Sequence, residues 1–185
     1  MLRESLVEYL HVAEYCVGYT KDVTWSREMS GGCLGYPAAV MMFAIVDAIG
    51  SYYRGNRTLS MSVDGRSVSI RTDGFQHFYI LNSEYYAQTL SASTIKSLYG
   101  RFRSLLVHNA ALAPGSFLVS FSGQHVSFPV SDDRQCVNLP PFLELSKRAV
   151  GVFLERLDTV VPRSDQARNL SMKQRLTGHL TTGSG

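Results

Sequence analysis

The chain has too few cysteines, in the wrong pattern, for a disulfide framework or a zinc site. Its three cysteines, Cys16, Cys33 and Cys136, are widely spaced and odd in number. Zinc ligands normally come in close pairs, and small secreted proteins normally carry an even number of cysteines. We therefore expect free thiols in a reducing compartment, which predicts a cytoplasmic protein.

The sequence also lacks a long apolar run and the pattern of a signal peptide in its first residues. The first residues, Met1-Leu-Arg-Glu, carry charge at once, unlike the layout of a signal peptide. The longest apolar run, from Tyr36 to Gly50, is shorter than a bilayer span and contains Asp47. We expect no membrane association. The net charge of +3 over 185 residues permits binding to nucleic acid without requiring it.

The common catalytic signatures are missing from the sequence. It has no glycine-rich phosphate loop ending in lysine, no His-Glu-x-x-His and no nucleophile elbow. The acidic residues show no paired spacing suited to a metal. The sequence therefore predicts neither a metal nor a cofactor.

Apolar residues instead recur at helical spacing over most of the chain. The pattern predicts helices over about 2–20, 37–53, 75–108 and 141–160, with a break near 91–93. The second is apolar nearly all round, which is typical of a central helix. The predicted fold is a mainly α, up-and-down helical bundle of residues 1–161.

Two short stretches change to alternating periodicity. In residues 57–71 apolar and polar side chains alternate on either side of Asp64-Gly65. In residues 116–130 they alternate on either side of a Ser-Gly-Gln turn. Both predict small β-hairpin insertions. Residues 162–185 are polar and basic, and we expect a flexible tail there.

The most informative stretch closes the third predicted helix, just before Ala113-Pro-Gly. It carries Arg103 and His108, whose side chains lie about 140° apart around an ideal helix. One straight helix therefore does not bring both to one point. They converge if the helix ends or tightens near His108, or if each also meets groups from a neighbouring helix or subunit. A permanent cation beside a proton carrier suits phosphodiester chemistry.

Other polar residues surround this pair in the sequence or in the predicted bundle. Asp47, inside the apolar second helix, needs a partner: it is either a structural acid or an orienting partner for Arg103 or His108. Lys96 and Arg101 lie among tyrosines, a combination that could bind RNA by stacking on its bases; alternatively, the tyrosines pack in the fold with their hydroxyl groups at the surface.

The segment Arg103-Ser-Leu-Leu-Val-His-Asn109 resembles the Arg-x4–6-His motif of HEPN domains. These are helical bundles, and many are metal-independent RNases of toxin–antitoxin, antiviral and stress systems. The resemblance implies an endoribonuclease in which Arg103 and His108 are catalytic. Ser104, Asn109 and Asp47 would support them. It also implies a homodimer with the site at its interface, an RNA substrate and a protein partner such as an antitoxin.

Two other interpretations compete with the enzyme. Arg103 could pair with Asp47 or a surface acid while His108 caps the helix, which makes the motif purely structural. The chain could instead be a non-catalytic, dimeric helical module that binds RNA or a protein partner. A small-molecule enzyme has no supporting motif.

Overall fold

The protein is mainly α-helical, as the sequence predicts. A computed structural model describes residues 2–25, 31–56, 59–123, 125–129 and 135–169. Helices α1 (Leu2–Gly18) and α2 (Gly35–Tyr52) come first. They are followed by a 3-10 helix (Gly74–Asn82) and, after further elements, by helix α5 (Leu139–Glu155), which packs on both α1 and α2. The helical class is confirmed, whereas the likeness to a HEPN bundle stays a prediction.

Helix α2 is the central element of the core. Its buried side chains include Met42, Phe43 and Ile45, each fully enclosed. The ring of Phe43 lies 5.7 Å from Phe78 of the 3-10 helix and 5.1 Å from Phe142 of α5, measured between centroids. By length and composition alone α2 could cross a membrane. In the folded chain α1, α5 and the 3-10 helix pack around it.

The third predicted helix consists of four short helical segments of three kinds, with a non-helical stretch after the first. After the 3-10 helix the chain is non-helical until Ser91, whose hydroxyl accepts from the Thr94 N–H and caps helix α3 (Ala92–Ser97). A π-helical segment (Leu98–Ser104) follows, and helix α4 (Leu105–Asn109) ends at Ala110 in the left-handed conformation. A break is present, but it spans residues 83–91, whereas two of the three residues of the predicted break, Ala92 and Ser93, already belong to α3.

The first predicted hairpin is confirmed. Strands β1 (Met61–Val63) and β2 (Arg66–Val68) pair antiparallel. Asp64 and Gly65 between them have φ values of 50° and 72°, as in a type I′ turn. Residues 57 and 58, which the prediction included, lie outside the described residues.

The second predicted hairpin is wrong. Strand β3 (Ser116–Val119) pairs in parallel with β4 (Gln135–Asn138), which lies beyond the predicted hairpin. Asn138 is fully buried, and its side-chain amide bonds both the N–H and the carbonyl of Phe121. These bonds tie the residues just after β3 to the end of β4. Gln124 and Val130 of the predicted hairpin lie outside the described residues.

The start of the predicted tail is packed against the helices. Helix α5 is followed by α6 (Leu157–Val160) and a 3-10 turn (Val161–Arg163). Ser164 is fully buried, and the Gln166 amide donates to the Ser51 hydroxyl of α2. The predicted boundary at 161/162 is therefore wrong for residues 162–169. Residues 170–185 lie outside the described residues.

Candidate functional site

A carboxylate on the central helix gathers two cationic side chains from other parts of the chain. The Oδ1 atom of Asp47 lies 2.8 Å from Nδ1 of His77, and its Oδ2 atom accepts a hydrogen bond from Nη2 of Arg103. We call Asp47, His77 and Arg103 the Asp47 cluster. The cluster joins α2, the 3-10 helix and the π-helical segment at one point.

Asp47 is the anion that holds this cluster together. Burial by itself raises the pKa of its carboxyl group. The hydrogen bond from His77 and the charge of Arg103 outweigh that effect, and the pKa is held below its ordinary value. Asp47 is therefore ionised at neutral pH and acts only as an acceptor. Because it cannot donate, Nδ1 of His77 carries the proton in their hydrogen bond.

His77 reaches Asp47 because the 3-10 helix lies directly on α2. Gly50 provides the space: a Cβ there would lie 2.2 Å from the His77 carbonyl oxygen. The His77 side chain is only 9% exposed. Its Nε2 atom is buried without a hydrogen bond and lies 3.4 Å from Oδ1 of Asp73, within ion-pair range. His77 is not among the site residues predicted from the sequence; the one available signal was that Asp47 required a partner.

Arg103 is held from two sides. Asp47 bonds one end of its guanidinium group, and the centroid of the Tyr99 ring lies 5.3 Å from its Cζ atom, in the range of a cation–π contact. Both Tyr99 and Arg103 belong to the π-helical segment. Such segments are rare and frequently occur at functional sites. Arg103 thus has a fixed orientation and keeps 22% of its side chain exposed.

An open groove of about 450 Å³ begins at the Asp47 cluster. Its walls are mostly apolar and come from α1, α2 and α4; besides the cluster they are formed by Tyr9, Val40, Met41, Ala44, Ala48, Ser51 and Val107. The small side chains of α2 leave this space open. The groove therefore offers an apolar floor with an arginine at its margin.

His108 does not join Arg103 at this groove. Val107, one residue earlier, lines the groove, whereas His108 and Asn109 are exposed on the last turn of α4. Within the part of the chain that the structure describes, the His108 side chain has no hydrogen bond or ion pair. Ser104 is half-buried one helical turn before His108. Within one chain the side chains of Arg103 and His108 therefore lie apart, as helix geometry predicts.

The two predicted RNA-binding cations differ in their surroundings. Lys96 is exposed on α3. Arg101 donates from Nε to the Ser116 hydroxyl at 3.1 Å and from Nη2 to the Pro114 carbonyl. Its guanidinium group therefore fastens the connection before β3. We retain Lys96 as a candidate phosphate contact and assign Arg101 a structural role.

Within residues 2–25, 31–56, 59–123, 125–129 and 135–169, no group of three His, Cys, Asp or Glu side chains could hold a metal ion. No protein-family model, curated protein or solved structure matches the chain. The Asp47 cluster, the groove and the exposed end of α4 are therefore the features from which a function can be inferred.

Proposed function

We propose that the chain is a metal-independent endoribonuclease, similar in its Arg103–His108 motif to HEPN domains. One observation carries the proposal. Arg103 is held in a fixed orientation at the margin of an open groove, and the exposed His108, which has no side-chain partner among the described residues, lies five residues further along the same helical stretch. A fixed cation and a free imidazole are the two groups that RNA transesterification needs.

The chemistry follows from the substrate. The ribose 2′-oxygen attacks the adjacent phosphorus, the P–O5′ bond breaks, and the products are a 2′,3′-cyclic phosphate and a 5′-hydroxyl. The imidazole of His108 takes the 2′-OH proton or supplies the proton to the leaving 5′-oxygen. The Arg103 guanidinium stabilises the negative charge that develops on the phosphoryl oxygens.

A second copy of the chain is part of the proposal. Arg103 faces the groove, whereas His108 faces solvent beyond it. Two copies that meet along α4 would bring the arginine of one near the histidine of the other. Val107, 46% exposed beside His108, gives this surface an apolar contact point. The proposed enzyme is therefore a homodimer with its site at the interface.

The test is cleavage of a mixed RNA pool by the purified protein in EDTA. We expect products with 2′,3′-cyclic phosphate ends from the wild type and loss of cleavage in His108→Ala. His11→Ala is the matched control, since His11 is exposed on α1, on a different helix from the proposed site. Absence of cleavage by a folded dimer, or equal loss in both variants, would refute the proposal.

The ion pair between Arg103 and Asp47 favours a second candidate, a dimeric binding module without catalysis. An arginine that is already paired with a carboxylate is less able to stabilise the negative charge that develops in the transition state. It can still bind the phosphate of an RNA ligand. Cleavage of unmodified RNA separates the two, and 2′-O-methyl RNA, which lacks the attacking hydroxyl, allows affinity to be measured without cleavage. In the enzyme, His108→Ala keeps its affinity and loses only cleavage. In the module, no variant cleaves and Arg103→Ala weakens binding.

A further inference from the structure

We propose that His77 is a positioning residue for Arg103 that acts through Asp47. His77 does not contact a substrate directly, because about nine-tenths of its side chain is buried and Nε2 is enclosed. Its only hydrogen bond among the described residues runs from Nδ1 to Asp47. Its effect on RNA cleavage rests on the proposed function, whereas its effect on Arg103 does not.

The ring of His77 lies between two ion pairs. On the Nδ1 side is Asp47, which also binds Arg103. On the Nε2 side is Asp73, which accepts a hydrogen bond from Arg54. The ring has little freedom to rotate, because about nine-tenths of the side chain is buried and Nδ1 is hydrogen-bonded to Asp47. Its Nδ1–H is thereby fixed on Oδ1 of Asp47.

This hydrogen bond determines how Asp47 holds Arg103. A carboxylate with both oxygens free frequently binds arginine through two parallel hydrogen bonds. In the Asp47 cluster His77 occupies Oδ1, so that Asp47 holds Arg103 through Oδ2 alone. Within the described residues, no other acceptor is bonded to the Arg103 guanidinium group. Most of its five N–H groups therefore remain available to a phosphate.

Removal of the His77 donor would release Oδ1. The carboxylate would then rotate and take a second N–H of Arg103, which draws the guanidinium group toward α2. Fewer N–H groups would face the groove, and an RNA phosphate would lose a charge-assisted hydrogen bond. We expect RNA to bind about tenfold more weakly as a result.

Two conservative variants separate this positioning role from a packing role. In His77→Asn the side-chain amide replaces Nδ1, and the donor to Asp47 is kept. In His77→Gln the amide reaches the position of Nε2, and that donor is lost. Both replace the ring by an amide of similar polarity, so a general loss of packing affects both.

The experiment measures the Arg103 side-chain NMR signals and the affinity for 2′-O-methyl RNA in the full chain. We expect His77→Gln to shift the Arg103 Nη signals, slow the rotation of the guanidinium group and weaken RNA binding, while His77→Asn stays close to the wild type. Equal behaviour of the two variants would overturn the proposal. A wild type that fails to cleave RNA refutes the proposed enzyme but leaves this comparison decisive for His77.

A measurement on the wild type covers the case in which both variants fail to fold. The ¹⁵N shifts and couplings of His77 report which ring nitrogen carries a proton. We expect a proton on Nδ1, as the donor to Asp47 requires. A neutral ring protonated only on Nε2 would overturn the proposal.

Discussion

A Cβ atom placed on Gly50 would lie 2.2 Å from the carbonyl oxygen of His77 and 2.8 Å from its carbonyl carbon. The clash is with backbone, which cannot move aside as a flexible side chain can. Gly50 therefore lets the 3-10 helix approach α2 closely. That approach is what brings the His77 ring within hydrogen-bond distance of Asp47.

Gly50→Ala should destabilise the fold by separating the two helices. Overpacking of a core contact costs about 1–3 kcal/mol, and at this position both the packing and the His77–Asp47 hydrogen bond are affected. Gly151→Ala is the matched control, because nothing lies within 4 Å of a Cβ at that position of α5. It should be neutral or stabilise by up to about 1 kcal/mol. Urea unfolding of both variants tests this; equal stability would show that the helices separate without cost.

The helical core could be predicted from the sequence because its signals are local. Apolar spacing identified α1, α2 and α5, and Asp64-Gly65 identified the first hairpin. The pairing of β3 with β4 could not be predicted in this way, since alternation shows that a segment is extended but not which strand it joins. The pairing is accompanied by the hydrogen bonds of the buried Asn138 amide to Phe121, a contact between residues 17 positions apart that local spacing does not reveal.

Asp47→Asn should remove part of the acid sensitivity of the fold. Because the folded-state pKa of Asp47 is lowered, the carboxylate stabilises the fold above the unfolded-state pKa of about 3.9. That stabilisation is lost as the pH falls through the lower, folded-state pKa. At neutral pH the free energy of unfolding of the variant should be lower by about 2–3 kcal/mol. This is somewhat less than the loss expected when a fully buried ion pair is broken, because about a fifth of the Asp47 and Arg103 side chains is exposed.

The measurement for Asp47→Asn is the free energy of unfolding in urea, taken from about pH 7 to about pH 2. The difference between wild type and variant should shrink below about pH 4. Glu84→Gln serves as the control, because Glu84 forms an exposed ion pair with Arg156 and should change the neutral-pH value by less than about 1 kcal/mol. A difference that is constant with pH would show that Asp47 acts through packing rather than charge.

The candidate site was predicted only in part, for a related reason. Arg103 and Asp47 could be identified because a cation within a motif and an acid within an apolar helix are both recognisable from the sequence alone. His77 does not stand out, since it follows Asp73-Gly74 in a segment whose spacing fits an ordinary helix. Its meeting with Asp47 depends on a 3-10 helix and on Gly50, and apolar spacing over nine residues does not distinguish the types of helix.

Lys96→Ala and Arg101→Ala should have different effects. Lys96 is exposed on α3, so its loss should remove one phosphate contact and weaken RNA binding. The slope of the logarithm of the RNA-binding constant against the logarithm of the salt concentration should become shallower by about 0.7. The stability of the Lys96 variant should change by less than about 0.5 kcal/mol. Arg101 bonds Ser116 and Pro114, so its loss should cost about 1–2 kcal/mol of stability. Affinity at several salt concentrations and urea unfolding measure both effects; the reverse pattern would contradict a binding role for Lys96 and a structural role for Arg101.

The strongest test of the proposed dimer is activity restored by mixing two inactive variants. Arg103→Ala keeps His108, and His108→Ala keeps Arg103. If the site combines groups from two copies, a mixed dimer retains one arginine and one histidine that meet across the interface. An equal mixture that exchanges subunits contains about half mixed dimers, and each mixed dimer keeps one of the two Arg103–His108 pairs, so the recovered cleavage should reach at most about a quarter of the wild-type rate.

The matched control replaces His108→Ala in the mixture by the double variant Arg103→Ala/His108→Ala. Its mixed dimers contain no arginine at the site, so cleavage should not return. Native mass spectrometry establishes that mixed dimers form in both cases. If they form and the first mixture stays inactive, the arginine and histidine must act from the same chain. The exposed position of His108, outside the groove that Arg103 borders, would then require α4 to rearrange when RNA binds.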